Sequence, residues 1–410
     1  MIGWLKLSDE QRITSIAQAA IISGITAKAI EKDWWVTLTL KALFTSPYAK
    51  FFIFKGGTSL SKGWKLIERF SEDIDIALNP TAFGKEYKNN PSHTYVKTLK
   101  KDGCAFTSTV LLDALKAQFE HFGIPIKDIR IEAETVDEKI PDKDPQTLFV
   151  KYRSLYSPHK YIADEVKVEF SVRSLEDQYE GVNIESILSN AFPNIAYEEI
   201  AFTVVAVQPG KTFLEKAFLL HEKFQNVNPD RFKIERLSRH LYDLVKIMDT
   251  EAGKQVLKNN EFYRTLIEHR RNYIRLNGVD YDALNYSTLT FIPPDSVIEM
   301  FKQDYGAMQA AMIYGESPDF NELIEQLKLL TGRFRLINEY HILENIIEDA
   351  KARIEKDPDF EKEGATMSVN VSYLLDVYKK ESPTNKTINY QVAFIRKGHK
   401  WVFESITIYA

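Results

Sequence analysis

Apolar and polar positions change period several times along the chain, and the sharpest change lies between residues 51 and 78. Residues 51–54, Phe-Phe-Ile-Phe, are all apolar and predict a short buried strand. Lys55-Gly56-Gly57-Thr58-Ser59 reads as a turn, because glycine lets the backbone pass close to another group. Leu60, Trp64 and Ile67 then recur at helical spacing and predict a helix over residues 60–68. Asp73-Ile74-Asp75-Ile76 alternates strictly, which on a strand puts both carboxylates on one face and both isoleucines on the other.

Upstream, Ser8 and Gln11 form a capping-box signature, and a second helix is predicted from Thr26 to Ser46-Pro47. Its polar run Glu31-Lys32-Asp33 either borders a site or packs onto a sheet. Residues 79–109, with Asn79-Pro80 and Asn89-Asn90-Pro91, read as a polar insertion or flexible crossing. Helical spacing returns over 111–122, and strands are predicted at 129–133, 147–152 and 201–207. In residues 162–171, Val166, Val168 and Phe170 face one way while Glu165, Lys167 and Glu169 face the other. Residues 175–200 read as a connection. From Lys211 the spacing is helical, with later helices over 263–276, 295–314, 319–330 and 334–355. A charged, linker-like stretch at 357–364 precedes strands at 367–371, 388–396 and 401–409, the last two joined by a turn at 397–400. The class predicted is α+β: a mixed-sheet domain over 1–210, an α-helical domain over 211–356 and a small hairpin-containing β-rich region over 357–410.

Composition narrows this picture. At 410 residues the chain exceeds the usual size of one core, so two or three domains are expected. Apolar content of 44% and charged content of 27% suit a soluble globular protein. No apolar run nears the ~20 residues that span a bilayer, and the N-terminal residues lack a secretory pattern. The single cysteine, Cys104, excludes internal disulfides and multi-cysteine zinc sites, so a cytoplasmic protein without membrane contact is expected. A net charge of −5 argues against a chain coated in positive charge for nucleic acid. The local stretch His269-Arg270-Arg271-Asn272-Tyr273-Ile274-Arg275 fits either a phosphate backbone or a solvated helix face.

Chemistry concentrates in the opening stretch. Carboxylates two apart on one strand can hold divalent metal through hard oxygens. A glycine turn leading into a helix offers backbone N–H groups to phosphate. Together they would hold a metal-bound nucleoside triphosphate for two-metal nucleotidyl transfer.

The stretch resembles the signature of the polymerase β-type nucleotidyltransferase superfamily. More closely it resembles the AbiEii/AbiGii-type toxins, with Gly-Gly-Thr-x-Leu followed by Arg-x-Ser-x-Asp-x-Asp. Gly56, Gly57, Thr58, Leu60, Arg69, Ser71, Asp73 and Asp75 match, and a weaker likeness runs from residue 28 to residue 250. The resemblance implies a polymerase β-like fold for the first domain. It implies Mg²⁺ or Mn²⁺ held by Asp73, Asp75 and a third carboxylate, for which Glu169 in Lys-Val-Glu-Phe fits best and Glu165 is the rival. A nucleoside triphosphate, GTP or a pyrimidine triphosphate, would lie at Gly56, Gly57, Thr58 and Ser59, with Lys62, Arg69, Ser71 and Lys216 beside it. Arg236, Arg239 and Asp243 fall in a string similar to the family's Arg-Asp-x-x-Asp-Leu motif, with His240 where the family often has Asp. They would bind triphosphate or order the site, or Arg239 and Asp243 would form only a surface ion pair four residues apart. The implied function is a toxin of a toxin–antitoxin or phage-defence system that transfers NMP to the tRNA 3′ end, with a cognate antitoxin as partner. The same residues also admit nucleotidylation of a protein or a small molecule such as an antibiotic, or a non-catalytic nucleotide-binding scaffold.

Overall fold

The computed structural model describes all residues except 1, 125–127, 138, 159–161, 176–177, 194–200, 226, 235, 356–365, 378–383, 398–399 and 410. At 338–340, 366–367, 372–377, 384–387, 396 and 409 it describes the backbone alone. The linker expected over 357–364, the Gly398-His399 turn, and Glu176, Asp177 and Asn194 of the expected connection lie outside the described residues. The chain forms two compact units, residues 1–281 with 290–328, and residues 282–289 with 329–410.

The first unit is built on a seven-stranded mixed sheet in the order β3-β4-β5-β2-β1-β7-β6. Its strands are β1 (Phe52–Lys55), β2 (Asp73–Leu78), β3 (Ile129–Ala133), β4 (Gln146–Tyr152), β5 (Glu165–Ser171), β6 (Tyr179–Ile184) and β7 (Phe202–Val207). The helices up to β7 are α1 (Asp9–Ser23), α2 (Ala27–Phe44), the single turn α3 (Gly56–Thr58), α4 (His93–Phe106), α5 (Leu112–His121) and α6 (Ile187–Ala191). After β7 come α7 (Pro209–Phe224), α8 (Ser238–Ile247), α9 (Glu251–Lys258), α10 (Asn260–His269), α11 (Ile298–Ala311) and α12 (Phe320–Ile354), whose later part belongs to the second unit. The period-two residues Ile74, Ile76, Val166, Val168 and Phe170 are buried in one core with Ile30, Trp34, Trp35 and Leu38 of α2. That packing commits one sheet face to α2 and leaves the carboxylate-bearing face for the site.

α1 starts as its capping box requires, with Ser8 Oγ accepting from Gln11 N–H and Gln11 Oε1 from Ser8 N–H. Other expectations change. Residues 93–106 form α4 instead of a flexible crossing: Ser92 caps it, and the lysines on its other face obscure its buried Val96, Leu99 and Cys104 in the sequence. The helix expected over 60–68 stops after a wide turn at Ser59–Gly63, and Lys65 adopts a left-handed conformation. β6 lies inside the expected connection; as an edge strand it buries little beyond Val182 and Ile184, so its sequence lacks a strong strand signal. Residues 320–354 form one continuous helix where two were expected.

α7–α11 belong to the same compact unit as the sheet. Polar ties explain this: Arg69 pairs with Asp243, Arg236 with Glu72, and Phe70 N–H donates to Met312 O at 2.7 Å. In the second unit, β8 (Thr366–Val377), β9 (Thr384–Lys397) and β10 (Lys400–Tyr409) form an antiparallel sheet in the order β10-β9-β8. Val371, Tyr390, Val392, Phe394 and Trp401 pack there with Ile346, Ala350 and Ile354 of α12. Among the described residues no single helix is long and apolar enough to cross a membrane.

Candidate active site

The sheet supplies one wall of a cleft of about 440 Å³, within the roughly 300–1,000 Å³ usual for ligand sites. β2 pairs in parallel with β5, aligning Asp75 with Glu169 and Asp73 with Lys167. β1 runs antiparallel to β2 and sets Lys55 opposite Asp75. All five side chains line the cleft, as do Gly56, Gly57, Arg69 and Ser71. Glu165 aligns instead with Lys151 and does not line it. Gly56 has φ +79°, and a Cβ there would collide with the Asp75 carboxylate; one at Gly57 would crowd the Arg69 guanidinium. The glycine pair thus lets the turn lie directly against the acidic strand.

Thr58 and Ser59 are buried behind that turn. The Thr58 hydroxyl lies 2.9 Å from Ser71 Oγ and donates to the Asp73 carbonyl, while Ser59 Oγ donates to the Gly56 carbonyl at 2.9 Å. Their side chains shape the turn and do not line the cleft. Lys62 also points away, its ammonium held by Asp33 at 2.6 Å and by the Glu185 carbonyl. Glu31-Lys32-Asp33 is a buried polar run behind the site, with Lys32 on Glu72 at 2.6 Å.

The opposite wall is helical. Lys216, Thr212 and Glu215 come from α7, Arg239 and His240 from α8, and His269 and Arg270 from the end of α10 and its continuation. Asp243 is wholly buried and accepts two hydrogen bonds from Arg69, at 2.7 and 2.8 Å, and an ion pair from Lys216 at 2.9 Å. The i,i+4 pair between Arg239 and Asp243 is absent because Asp243 turns inward. Arg239 makes no hydrogen bond or ion pair among the described residues and lines the cleft. The stretch at 269–275 is largely committed internally: Arg270 is bidentate to Glu222, and Arg271 pairs with Glu268.

Charge in the cleft is divided between its walls. Burial pushes the Asp75 carboxyl up to about 7; Lys55 opposes this, and the nearby Glu169 and Asp73 charges add to it. Burial, then Glu72, also raises Asp73. On the helical side burial alone would raise Asp243, but Arg69 and Lys216 overrule it and hold the group well below the usual carboxylate range. Burial depresses Lys216 in spite of that partner, with Arg69 and Arg239 adding to the effect. Arg69, Lys216 and Arg239 outnumber Asp243 and Glu215 on this side, which leaves it net positive and suited to an anion.

Among the described residues no three His, Cys, Asp or Glu side chains converge as metal ligands. The Glu169 carboxylate is turned onto Lys167. Asp73, Asp75 and Glu169 are hard oxygen donors nonetheless, and a divalent cation would offset the burial and the neighbouring charges that disfavour the Asp75 charge.

Sequence reasoning missed Lys55, Lys167, Thr212 and Glu215 as cleft residues, and named His269 and Arg270 only within a stretch that fits either a phosphate backbone or a solvated helix face. Period two already placed Lys167 on the face of Glu165 and Glu169, but a cation between acids read as surface pairing; Lys55 read as part of the turn and meets Asp75 only through the β1–β2 pairing. Thr212, Glu215 and Leu219 share a helical face, yet nothing local shows that this face borders the sheet. A family model described as Nucleotidyl transferase AbiEii toxin, Type IV TA system, matches residues 39–326, which include the glycine turn, the acidic strands, α7 and α8. No curated protein and no solved structure matches the chain.

Proposed function

The chain belongs to the AbiEii family of nucleotidyl transferase toxins of type IV toxin–antitoxin systems, and from that premise we propose that its cleft transfers a nucleoside monophosphate from a nucleoside triphosphate to the 3′ hydroxyl of a tRNA. The observation that carries this reading is the division of the cleft: a glycine turn and three carboxylates face a wall of cations. Family membership implies a nucleotide substrate and an antitoxin partner.

Gly56 and Gly57 bring backbone beside the acidic strand, where the triphosphate would lie. Lys216, Arg239 and Lys55 neutralise its charge, and Arg69, fixed by Asp243, lies against the Cβ-less face of Gly57. Asp73 and Asp75, with Glu169 once released from Lys167, would hold Mg²⁺, which supplies charge neutralisation at the transferred group. The acceptor oxygen forms a bond to the α-phosphorus, the bond to the β-bridging oxygen breaks, and pyrophosphate leaves. The acceptor's proton passes to a carboxylate of the sheet wall.

The test is incubation with each α-³²P nucleoside triphosphate, Mg²⁺ and total bacterial RNA, beside an Asp73→Ala/Asp75→Ala control. Label on tRNA with wild type alone is expected. Label on protein or a small molecule would keep the site and replace the acceptor. No label in any fraction, with or without the antitoxin, would leave a nucleotide-binding scaffold as the better account.

A further inference from the structure

We propose that Thr212 and Glu215 on α7 recognise the vicinal hydroxyls of a ribose in the cleft. The proposal rests on reading the cleft as a nucleotide site. The two residues are one helical turn apart on the wall facing the acidic strands, and both line the cleft. Thr212 is 4% exposed, and its Oγ1 has no hydrogen-bond partner. Buried hydroxyls ordinarily find partners, so this one is left for something that enters the cleft. The Glu215 carboxylate makes no hydrogen bond or ion pair among the described residues.

What can such a pair bind? A carboxylate only accepts hydrogen bonds. Burial opposes the ionisation of Glu215, yet Lys211, Lys55 and Arg270 outweigh it and hold the group below its ordinary value. The charged form repels phosphate, so Glu215 is no part of the triphosphate cradle although its neighbour Lys216 is. A nucleotide offers the ribose hydroxyls, the exocyclic base amines and the ring N–H groups of guanine and uracil as its remaining donors. Two adjacent hydroxyls match the two oxygens of a carboxylate, as an acidic residue holds ribose in dinucleotide-binding folds. The Thr212 hydroxyl, able to donate or accept, completes the match on one side. Bases differ in their amines and ring N–H groups, whereas every ribonucleotide presents the diol. The ribose belongs either to the triphosphate or to the 3′ end of the acceptor RNA.

The experiment compares kcat/KM for matched nucleoside and 2′-deoxynucleoside triphosphates, and for RNA acceptors ending in a ribo- or a 2′-deoxyribonucleotide. Wild type, Glu215→Ala, Glu215→Gln and Thr212→Val are each measured. Wild type should favour the ribo form of one partner by about tenfold or more, because a site built for a hydroxyl rejects the analogue lacking it. Glu215→Ala should bring that ratio to within about threefold with base preference unchanged; the ratio that collapses identifies the source. Ratios that persist in Glu215→Ala, no discrimination by wild type, or a change in base preference alone would each overturn the proposal. Equilibrium binding of the same paired ligands reads the same ratios without turnover, so a protein that transfers nothing defeats the proposed function while still deciding the ribose assignment. Glu215→Gln preserves shape and covers the case in which Glu215→Ala does not fold.

Discussion

Asp243 shows what one buried charge does here. Its carboxylate has no exposure and holds both Arg69 and Lys216, so its ionisation fixes two cations that border the cleft. Asp243→Ala would leave both cations unpaired, and breaking such a buried pair costs about 3–5 kcal/mol. Urea unfolding should show that loss, and a change below about 1 kcal/mol would mean the cations re-pair with water or neighbours. His269 acts in the opposite sense. It lies 2.7 Å from the Tyr87 hydroxyl through Nδ1 and stacks on Tyr273. Burial lowers its pKa to about 3, with Lys211 and Arg270 adding to the shift and Glu215 opposing it. Folded His269 therefore stays neutral, while the unfolded chain takes up the proton near pH ~6.5. Its contribution is complete above ~6.5 and is lost as pH falls from there toward the folded value. By pH 5 the loss is about 2 kcal/mol, so His269→Gln should flatten the fall in stability between pH 6.5 and 5. Parallel curves for the two proteins would place the acid sensitivity in other groups.

Register does the corresponding work among elements. β5 carries Glu165, Lys167 and Glu169 on one face, and alternation cannot choose between the two acids. The parallel pairing with β2 does, aligning Glu169 with Asp75 and leaving Glu165 beside Lys151 of β4. Glu169→Gln should therefore lower nucleotidyl transfer by about 100-fold or more, while Glu165→Gln stays within about threefold of wild type. Equal losses would show that the register does not govern the chemistry. The turn between β1 and β2 depends on its elements in a similar way. Gly56 needs a positive φ and no Cβ because Asp75 crosses directly beside it. The helix expected after that turn ends early at Gly63, where a Cβ would press on Val182 of β6.

For the molecule as a whole, the division into two units separates two cores. The second unit's core includes Phe394, which is 1% exposed, with Val392, Trp401 and the α12 residues Ile346, Ala350 and Ile354. Phe394→Ala removes a large buried ring, a change worth about 3–5 kcal/mol. Scanning calorimetry should resolve two transitions and show only one of them shifted by this substitution. A single transition moving as a whole would mean that the units unfold together.

Much of this arrangement is legible in the order of the residues. The Asp73 and Asp75 face, the adjoining glycine turn and most strands are consequences of local period and backbone chemistry, because a strand has two faces and glycine alone tolerates the Gly56 conformation without strain. The motif also carries the family. Partnerships across long separations are not legible. Asp243 lies four residues from Arg239, yet pairs with Arg69, 174 residues away in sequence, and Lys62 turns to Asp33 instead of the cleft. α4 and β6 stay hidden because each buries only part of one face. The sequence alone determined which residue types share a face of an element. Only the tertiary structure decided which faces meet, because hydrogen-bond register and the burial of charge are settled between elements that no local pattern connects.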